Sequence, residues 1–160
     1  MTAADYEKVM FGAGCFWGVE SRFRELPGVI DAPCGYAGGS MSFPTYEQVC
    51  TGRTNHTEVV EVTYDPAQIS FNDLLAAFWA MHDPTTLNRQ GPDIGTQYRS
   101  AIYTTTEAQK TAALAARTAE DASGRYRAPI VTEIKDAPDF YRAEEYHQRY
   151  FEKNGMVGCH

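Results

Sequence analysis

The sequence FGAGCFWG, residues 11–18, marks the point where a strand passes into a helix. The residues before it, YEKVMFGAG (6–14), predict a strand that runs into a turn, because glycine readily adopts the backbone angles of tight turns. After the turn, apolar residues recur at helical spacing until Pro27 and Gly28 end the pattern, namely Phe16, Val19, Phe23 and Leu26. The stretch therefore predicts a strand, a turn and a helix, with Cys15 at the start of the helix.

The rest of the chain alternates irregularly between predicted strands and predicted helices. Strands are predicted at 29–39, 56–66, 96–105 and 129–136. Helices are predicted at 44–52, 70–84, 106–124 and 143–155. Ser70 is expected to cap the second of these helices, and Thr106 to form a capping box with Gln109 at the third. This order favours one α/β domain in which helices pack against a mixed sheet.

Composition and charge exclude several classes of partner. The chain has 160 residues and a formal net charge of -7, with no basic run. Nucleic acids and anionic membrane surfaces are therefore not expected to bind it. No apolar run is long enough to span a bilayer, and the start, MTAADYEKV, lacks the features of a secretory signal. We expect a cytoplasmic protein.

The cysteine and histidine spacing argues against a structural zinc site. None of the four cysteines lies in a Cys-x-x-Cys pair, and the four histidines form no metal-finger spacing with them. In a reducing cytosol, widely spaced cysteines stay reduced, so a disulfide in this protein would be transient and catalytic.

Cys15 has the position of a reactive thiol. The unpaired N–H groups and the positive end of a helix stabilise a thiolate at its first turn, and the thiolate is the nucleophilic form. Trp17 points away from the apolar stripe that Phe16 begins, since successive helical residues lie about 100° apart. We interpret Trp17 as the wall of a pocket beside Cys15. The alternative is that it packs on another element.

Glu58 is a candidate proton donor. In TEVVEVTY, residues 57–64, strand alternation places Glu58 on one face with Val60, Val62 and Tyr64. If that face is the core face, burial raises the pKa of the carboxyl group and lets it donate a proton near neutral pH. The alternative is that Glu58 lies in water at the frayed end of the strand, and the sequence alone does not choose between the two.

These motifs resemble those of the peptide-methionine (S)-S-oxide reductases, the MsrA family, from about Val9 to the C-terminus. The matching stretches are GAGCFWGVE, GYAGG, PTYEQVCTG, HTEVVEVTYDP, HDPT, DIGTQYRSAIY and EEYHQRY. The resemblance implies a two-layer α/β fold with a mixed sheet and a ferredoxin-like core. It implies one domain over 1–160, with a mobile tail at about 154–160. It also implies a monomer that reduces the S epimer of methionine sulfoxide, free or in proteins, with thioredoxin as external reductant and no metal or organic cofactor.

The resemblance also implies roles for individual residues. Cys15 matches the nucleophile and Glu58 the proton donor to the sulfoxide oxygen. The remaining matches are to substrate-binding positions: Phe16 and Trp17 as the wall around the substrate methyl group, Tyr46 and Tyr98 as hydroxyls that bind the oxygen, and Asp93 as a further polar group.

The sequence offers more than one candidate for the resolving thiol, the cysteine that forms a disulfide with the oxidised nucleophile. Cys159 lies in a glycine-containing tail, where the family often carries a resolving cysteine, and the alternative is that it is idle. Cys34 departs from the family pattern and is an alternative or intermediate resolver. Cys50 is expected to be a packed small hydrophobe. We interpret His147, on the last predicted helix, as a satisfied core histidine.

Two functions from other classes remain possible on the sequence. A redox-responsive binding protein would use Cys15 as a sensor, but it would not need the carboxyl and aromatic residues. A cysteine hydrolase would need a histidine base beside Cys15, for which His56 and His147 are available.

Overall fold

The computed structural model describes residues 6–153, which form nine strands and five α-helices. The strands are β1 (Glu7–Ala13), β2 (Val29–Asp31), β3 (Cys34–Ala37), β4 (Thr57–Tyr64), β5 (Arg89–Gln90), β6 (Asp93–Ile94), β7 (Ser100–Thr104), β8 (Glu133–Asp136) and β9 (Tyr141–Arg142). The helices are α1 (Phe16–Arg24), α2 (Tyr46–Cys50), α3 (Phe71–Ala80), α4 (Glu107–Ala122) and α5 (Tyr150–Lys153), with 3₁₀ turns at Thr96–Tyr98 and Glu145–His147.

One mixed sheet organises the domain. Its order is β8-β7-β1-β4-β3-β9, and β2 also pairs with β4. The β7–β8 pair is parallel, whereas the other pairs in the sheet are antiparallel. β5 and β6 form a separate two-stranded hairpin. The predicted α/β class with a mixed sheet is confirmed.

The helices pack on one face of this sheet. Phe11 of β1 stacks on Phe23 of α1 at a ring distance of 4.8 Å and lies 5.2 Å from Phe78 of α3. The same cluster includes Val60 and Val62 of β4. The opposite face carries a smaller apolar cluster that contains Val59 and no helical residue. The alternation predicted for β4 is thus observed, with the face that contains Glu58 directed toward the helices.

Helix caps follow the local sequence closely, with one exception. Ser70 forms a capping box with Asp73 at α3, and Thr45 forms one with Gln48 at α2. Thr106 caps α4 by accepting from Gln109 N. The prediction of a full capping box is wrong, however. The side-chain oxygen of Gln109 accepts from the backbone N–H of Thr105 instead of that of Thr106.

Several predicted elements differ from the structure. The strand predicted at 29–39 is divided into β2 and β3, and the strand predicted at 129–136 begins only at Glu133. The strand predicted at 96–105 begins only at Ser100, because Thr96–Tyr98 form a 3₁₀ turn. The helix predicted from 143 is interrupted between the turn at Glu145–His147 and α5. There the side chain of Gln148 bonds to the backbone of Cys34, and Arg149 adopts a φ of 55° while its N–H donates to Glu20. Long-range hydrogen bonds have replaced helical ones. The end predicted for this helix, at residue 155, lies outside the described residues.

Within residues 6–153, no helix is both long enough and apolar enough to cross a lipid bilayer.

Candidate active site

The turn after β1 delivers Cys15 to the start of α1. Gly14 has a φ of 94°, which turns the chain, and Cys15 is the N-cap residue of the helix and half-buried. Gly12 makes the close packing before the turn possible, since a Cβ there would lie 2.7 Å from Thr57 Cγ2 and 3.1 Å from Arg99 O. The thiol therefore lies where the ends of β1, β4 and β7 meet the helix, as the sequence predicts for a strand, turn and helix.

Glu58 lies beside this helix start. Its side chain is buried, with 1% exposure, and its Oε1 accepts from Phe16 N at 3.2 Å. Its Oε2 has no hydrogen-bond partner among the described residues. Burial raises the pKa of Glu58 to about 8, the Phe16 N–H opposes that rise, and the charge of Asp93 adds to it. The carboxyl group is therefore protonated at neutral pH, and of the two sequence interpretations the buried one is correct.

Tyr46 and Tyr98 bring hydroxyl groups to the same region. Burial raises the pKa of both phenols above their usual range. The hydrogen bond between Tyr46 and Cys50 raises the pKa of Tyr46 further, and the charge of Glu58 adds to the rise at both phenols. Both therefore remain protonated donors. The charges that act on Tyr98 come from a set of acidic groups gathered around it: Glu58, Cys50, Asp93 and Cys15. The structure thus brings together the predicted nucleophile, proton donor and polar residues.

Phe16 and Trp17 diverge at the start of α1. The Phe16 ring is buried and lies 6.3 Å from the Tyr46 ring. The Trp17 indole stacks on Tyr150 at 3.9 Å and donates from Nε1 to His147 Nδ1 at 2.9 Å. Trp17 therefore packs on another element, which was the alternative interpretation. Since its side chain remains partly exposed, this packing is compatible with a second role as a pocket wall.

The other cysteines differ sharply in access. Cys34 is fully buried, its Sγ donates to His147 O at 3.6 Å, and burial raises the pKa of its thiol. Cys50 is exposed at the end of α2. Its expected role as a packed hydrophobe is wrong, because this five-residue helix buries only Val49. Cys159 lies outside the described residues.

Comparison with known proteins identifies the family. The family model described as "Peptide methionine sulfoxide reductase" matches residues 7–160. A peptide methionine sulfoxide reductase MsrA from Methanothermobacter thermautotrophicus is 56% identical over 160 residues, which cover 100% of this chain and 95% of that protein. The chain belongs to the peptide methionine sulfoxide reductase family.

Two solved structures of this family extend the comparison. Methionine sulfoxide reductase A of Corynebacterium diphtheriae superimposes with a TM-score of 0.84 at 45% identity, covering 97% of this chain and 78% of that one. Mxr1 from Saccharomyces cerevisiae in complex with Trx2 superimposes with a TM-score of 0.63 at 27% identity, covering 92% and 86%. This chain therefore has the methionine sulfoxide reductase A fold, and it is a methionine sulfoxide reductase of the A type.

In this reductase, His147 is a core histidine, as interpreted from the sequence, but the expectation that it is fully satisfied is wrong. The residue is fully buried, and its ring lies 4.3 Å from that of Tyr46 and 5.2 Å from that of Phe16. Only its Nδ1 is satisfied, by Trp17, whereas Nε2 has no partner within residues 6–153. Burial lowers the pKa of His147, which keeps the imidazole neutral and Nδ1 able to accept. His147 therefore lies at the centre of an aromatic cluster and is hydrogen-bonded to one of its members, Trp17.

The two histidines do not support a hydrolase. His56 bonds at both ring nitrogens, accepting from Gly39 N at 3.0 Å and contacting Met41 O at 2.6 Å. The accepting nitrogen of His147 is occupied by the indole of Trp17. In the part of the chain that the structure describes, no group of three or more His, Cys, Asp or Glu side chains converges in the manner of a metal site.

Proposed function

We propose that this reductase acts on the S epimer of methionine sulfoxide, free or in proteins, with Cys15 as nucleophile and Glu58 as proton donor. One observation carries the assignment of roles. The buried carboxyl group of Glu58 is hydrogen-bonded to the backbone N–H of the residue that follows Cys15. A neutral acid and a thiol at a helix start are thereby held next to each other, as reduction of a sulfoxide requires.

The reaction needs both groups in different protonation states. The oxygen of a sulfoxide is a poor leaving group until it is protonated, and Glu58 supplies that proton. The Cys15 thiolate attacks the sulfur and takes over the oxygen, so that methionine leaves and Cys15 becomes a sulfenic acid. The substrate sulfur is reduced by two electrons, and the Cys15 sulfur is oxidised by two.

The surrounding residues recognise the two ends of the sulfoxide group. Phe16 and Trp17 form the wall for the methyl group. The hydroxyl groups of Tyr46 and Tyr98 bind the oxygen as neutral donors, since a phenol is protonated at neutral pH and burial raises the pKa of both further. Asp93, whose charge acts on both Glu58 and Tyr98, provides the further polar group of the pocket.

Recycling of the sulfenic acid requires a second thiol and an external reductant. Cys159 condenses with the sulfenic acid of Cys15, which forms a disulfide and releases water. Thioredoxin then reduces the disulfide by thiol–disulfide exchange. Two observations support this proposal: the yeast relative Mxr1 has been solved in complex with Trx2, and Cys34, the competing resolver, is fully buried.

The experiment is a coupled assay. NADPH oxidation through thioredoxin reductase and thioredoxin is followed with each separate epimer of methionine sulfoxide. We expect turnover with the S epimer and none with the R epimer. The matched control, Cys15→Ser, should release no methionine even in a single turnover, because an alcohol at neutral pH is a far weaker nucleophile than a thiolate. Methionine release by this variant contradicts the assignment of Cys15.

A further inference from the structure

We propose that Glu144 is a positioning residue for the reductase step, acting through Tyr46. This inference rests on the proposed function, in which the Tyr46 hydroxyl binds the sulfoxide oxygen. Glu144 precedes the 3₁₀ turn Glu145–His147, far in sequence from both α2 and β3. Its side chain nevertheless connects these two elements at the site.

The connection consists of two hydrogen bonds to one carboxylate. Tyr36, fully buried in β3, donates from its hydroxyl to Glu144 Oε1 at 2.8 Å. The backbone N–H of Tyr46 donates to Glu144 Oε2 at 2.9 Å. The carboxylate is thereby fixed by a side chain of the sheet on one side and fixes the first residue of α2 on the other.

The hydrogen bond to Glu144 gives Tyr46 N an acceptor, which α2 itself cannot provide. The first N–H groups of a helix have no partner within the helix. The capping box of α2 serves the N–H groups of Thr45 and Gln48, and the N–H of Tyr46 is served by Glu144. A helix of five residues that buries only Val49 has little packing of its own to hold its position.

The same segment also holds the ring of Tyr46. His147 N donates to Glu144 O, and the imidazole of His147 lies 4.3 Å from the Tyr46 ring. The Phe16 ring lies 6.3 Å from the Tyr46 ring and 5.2 Å from the imidazole of His147, so the three rings form one cluster. Glu144 thus fixes the backbone of Tyr46 while its own 3₁₀ turn presents the residue that contacts the ring.

The charge state of Glu144 suits this role. Burial raises the pKa of this carboxyl group, but the hydrogen bonds from Tyr46 N, its own backbone and the Tyr36 hydroxyl outweigh burial, so that its pKa is lower than usual. Glu144 is therefore an anion that accepts from both partners throughout the neutral range. Glu58, which is neutral there, serves as the acid instead.

The experiment is a double-mutant cycle read out by single-turnover methionine formation. Glu144→Ala, Tyr46→Phe and the double variant are compared at saturating methionine S-sulfoxide. We expect each single variant to slow the step by about 10-fold or more. Tyr46→Phe removes the hydroxyl, and Glu144→Ala displaces it, where a displacement of about 1 Å can cost about 10²-fold. The double variant should be no slower than the slower single variant, because both changes remove the same contact.

Matched controls separate positioning from a general loss of structure. Glu145→Ala changes the neighbouring glutamate, which is exposed and pairs at the surface with Arg142, and should react at the normal rate. Alkylation of Cys15 by iodoacetamide should be unchanged in Glu144→Ala. Glu144→Gln keeps an acceptor for Tyr46 N and should recover part of the rate, and it serves as the test variant if Glu144→Ala does not fold.

Several results would overturn the proposal. Three results would each show that Glu144 does not act through Tyr46. These are a double variant whose rate reduction equals the product of the two single reductions, a normal rate in Glu144→Ala, and slower alkylation of Cys15 in Glu144→Ala. A Glu144→Gln variant as slow as Glu144→Ala would exclude the hydrogen bond to Tyr46 as the cause. A normal rate in Tyr46→Phe would remove the proposed role of Tyr46 and this inference together, whereas the other failures leave that role intact.

Discussion

The backbone N–H of Phe16 donates to Glu58 Oε1 over 3.2 Å, so the carboxyl group on β4 is attached to the first turn of the helix that begins at Cys15. The two residues are 42 positions apart in the chain. The bond satisfies one of the unpaired N–H groups at the helix start and leaves Oε2 of the same carboxyl group without a partner among the described residues. That oxygen is buried and, under the proposed function, is the one that faces the substrate oxygen.

Replacing Glu58 with Gln should test its role as an acid. The amide keeps the shape and can still accept from Phe16 N, but it has no acidic proton to donate. We expect single-turnover methionine formation to fall by about 10²-fold or more, the usual scale of general acid catalysis. Alkylation of Cys15 in the same sample is the control for an intact site. A Gln variant with a near-normal reductase step would exclude Glu58 as the donor.

The pH dependence of the reductase step should report the same group. Because the pKa of Glu58 is raised to about 8, the neutral acid persists through pH 7 and is lost as the pH rises through about 8. The single-turnover rate should therefore fall on the alkaline side with a midpoint near that value, and the requirement for a Cys15 thiolate should limit it on the acid side. The alkaline limb should disappear in Glu58→Gln. An alkaline limb that persists unchanged in the variant assigns it to another group.

The same shift predicts how stability depends on pH. The usual pKa of 4.5 applies to Glu58 in the unfolded chain, and about 8 applies in the folded protein. The contribution of this group to stability is thus fully present below about 4.5 and is lost as the pH rises through about 8, because the folded state retains a proton that the unfolded state releases. Urea unfolding of the wild type and Glu58→Gln, measured between these pH values, should diverge in favour of the variant. Parallel curves would contradict the raised pKa.

Trp17 should be tested with two substitutions, because it packs on the scaffold and, under the proposed function, also forms a wall of the substrate pocket. Trp17→Phe keeps an aromatic ring against Tyr150 but loses the bond to His147 Nδ1, and Trp17→Ala loses both contacts. We expect KM for the sulfoxide to rise strongly in Trp17→Ala and less in Trp17→Phe, with alkylation of Cys15 unchanged. Melting temperatures are recorded on the same samples. A loss of stability with normal activity of the folded protein would make Trp17 purely structural.

Cys159→Ser should separate the reductase step from recycling. One equivalent of methionine per enzyme should still form, because Cys15 and Glu58 are unaltered. Turnover with thioredoxin should then fall steeply, and dithiothreitol should restore much of it, since a small thiol reaches the sulfenic acid more readily than a protein does.

Peptide mapping of the wild type after one turnover identifies the partner of Cys15 directly. We expect a Cys15–Cys159 disulfide. Cys50 is exposed, whereas Cys34 is buried and donates to His147 O. If Cys159 is not the partner, a Cys15–Cys50 disulfide is therefore expected before a Cys15–Cys34 disulfide. Finding the Cys15–Cys50 bond, together with continued thioredoxin-driven turnover of Cys159→Ser, would exclude Cys159 as the resolving residue.

Local signals predicted most of the fold. The strand, turn and helix around Cys15 and the cap at Ser70 depend on neighbouring residues, so the sequence contains the information that places them. The prediction of one continuous helix at 143–155 was wrong because the backbone conformation there depends on hydrogen bonds to distant residues. Gln148 bonds to the backbone of Cys34, 114 positions away, and such a contact leaves no periodic pattern in the local sequence.

The sequence by itself determined which chemical groups this protein has: a thiol at a helix start, a carboxyl group at the end of an apolar row, and aromatic residues next to the thiol. Only the tertiary structure decided their states and contacts. Burial of Glu58 keeps it protonated against the opposing hydrogen bond from Phe16 N. The packing of 144–150 against α1 and α2 sets the orientation of Trp17 and Tyr46. The physical reason is that desolvation and long-range hydrogen bonds arise only when distant segments exclude water from one another.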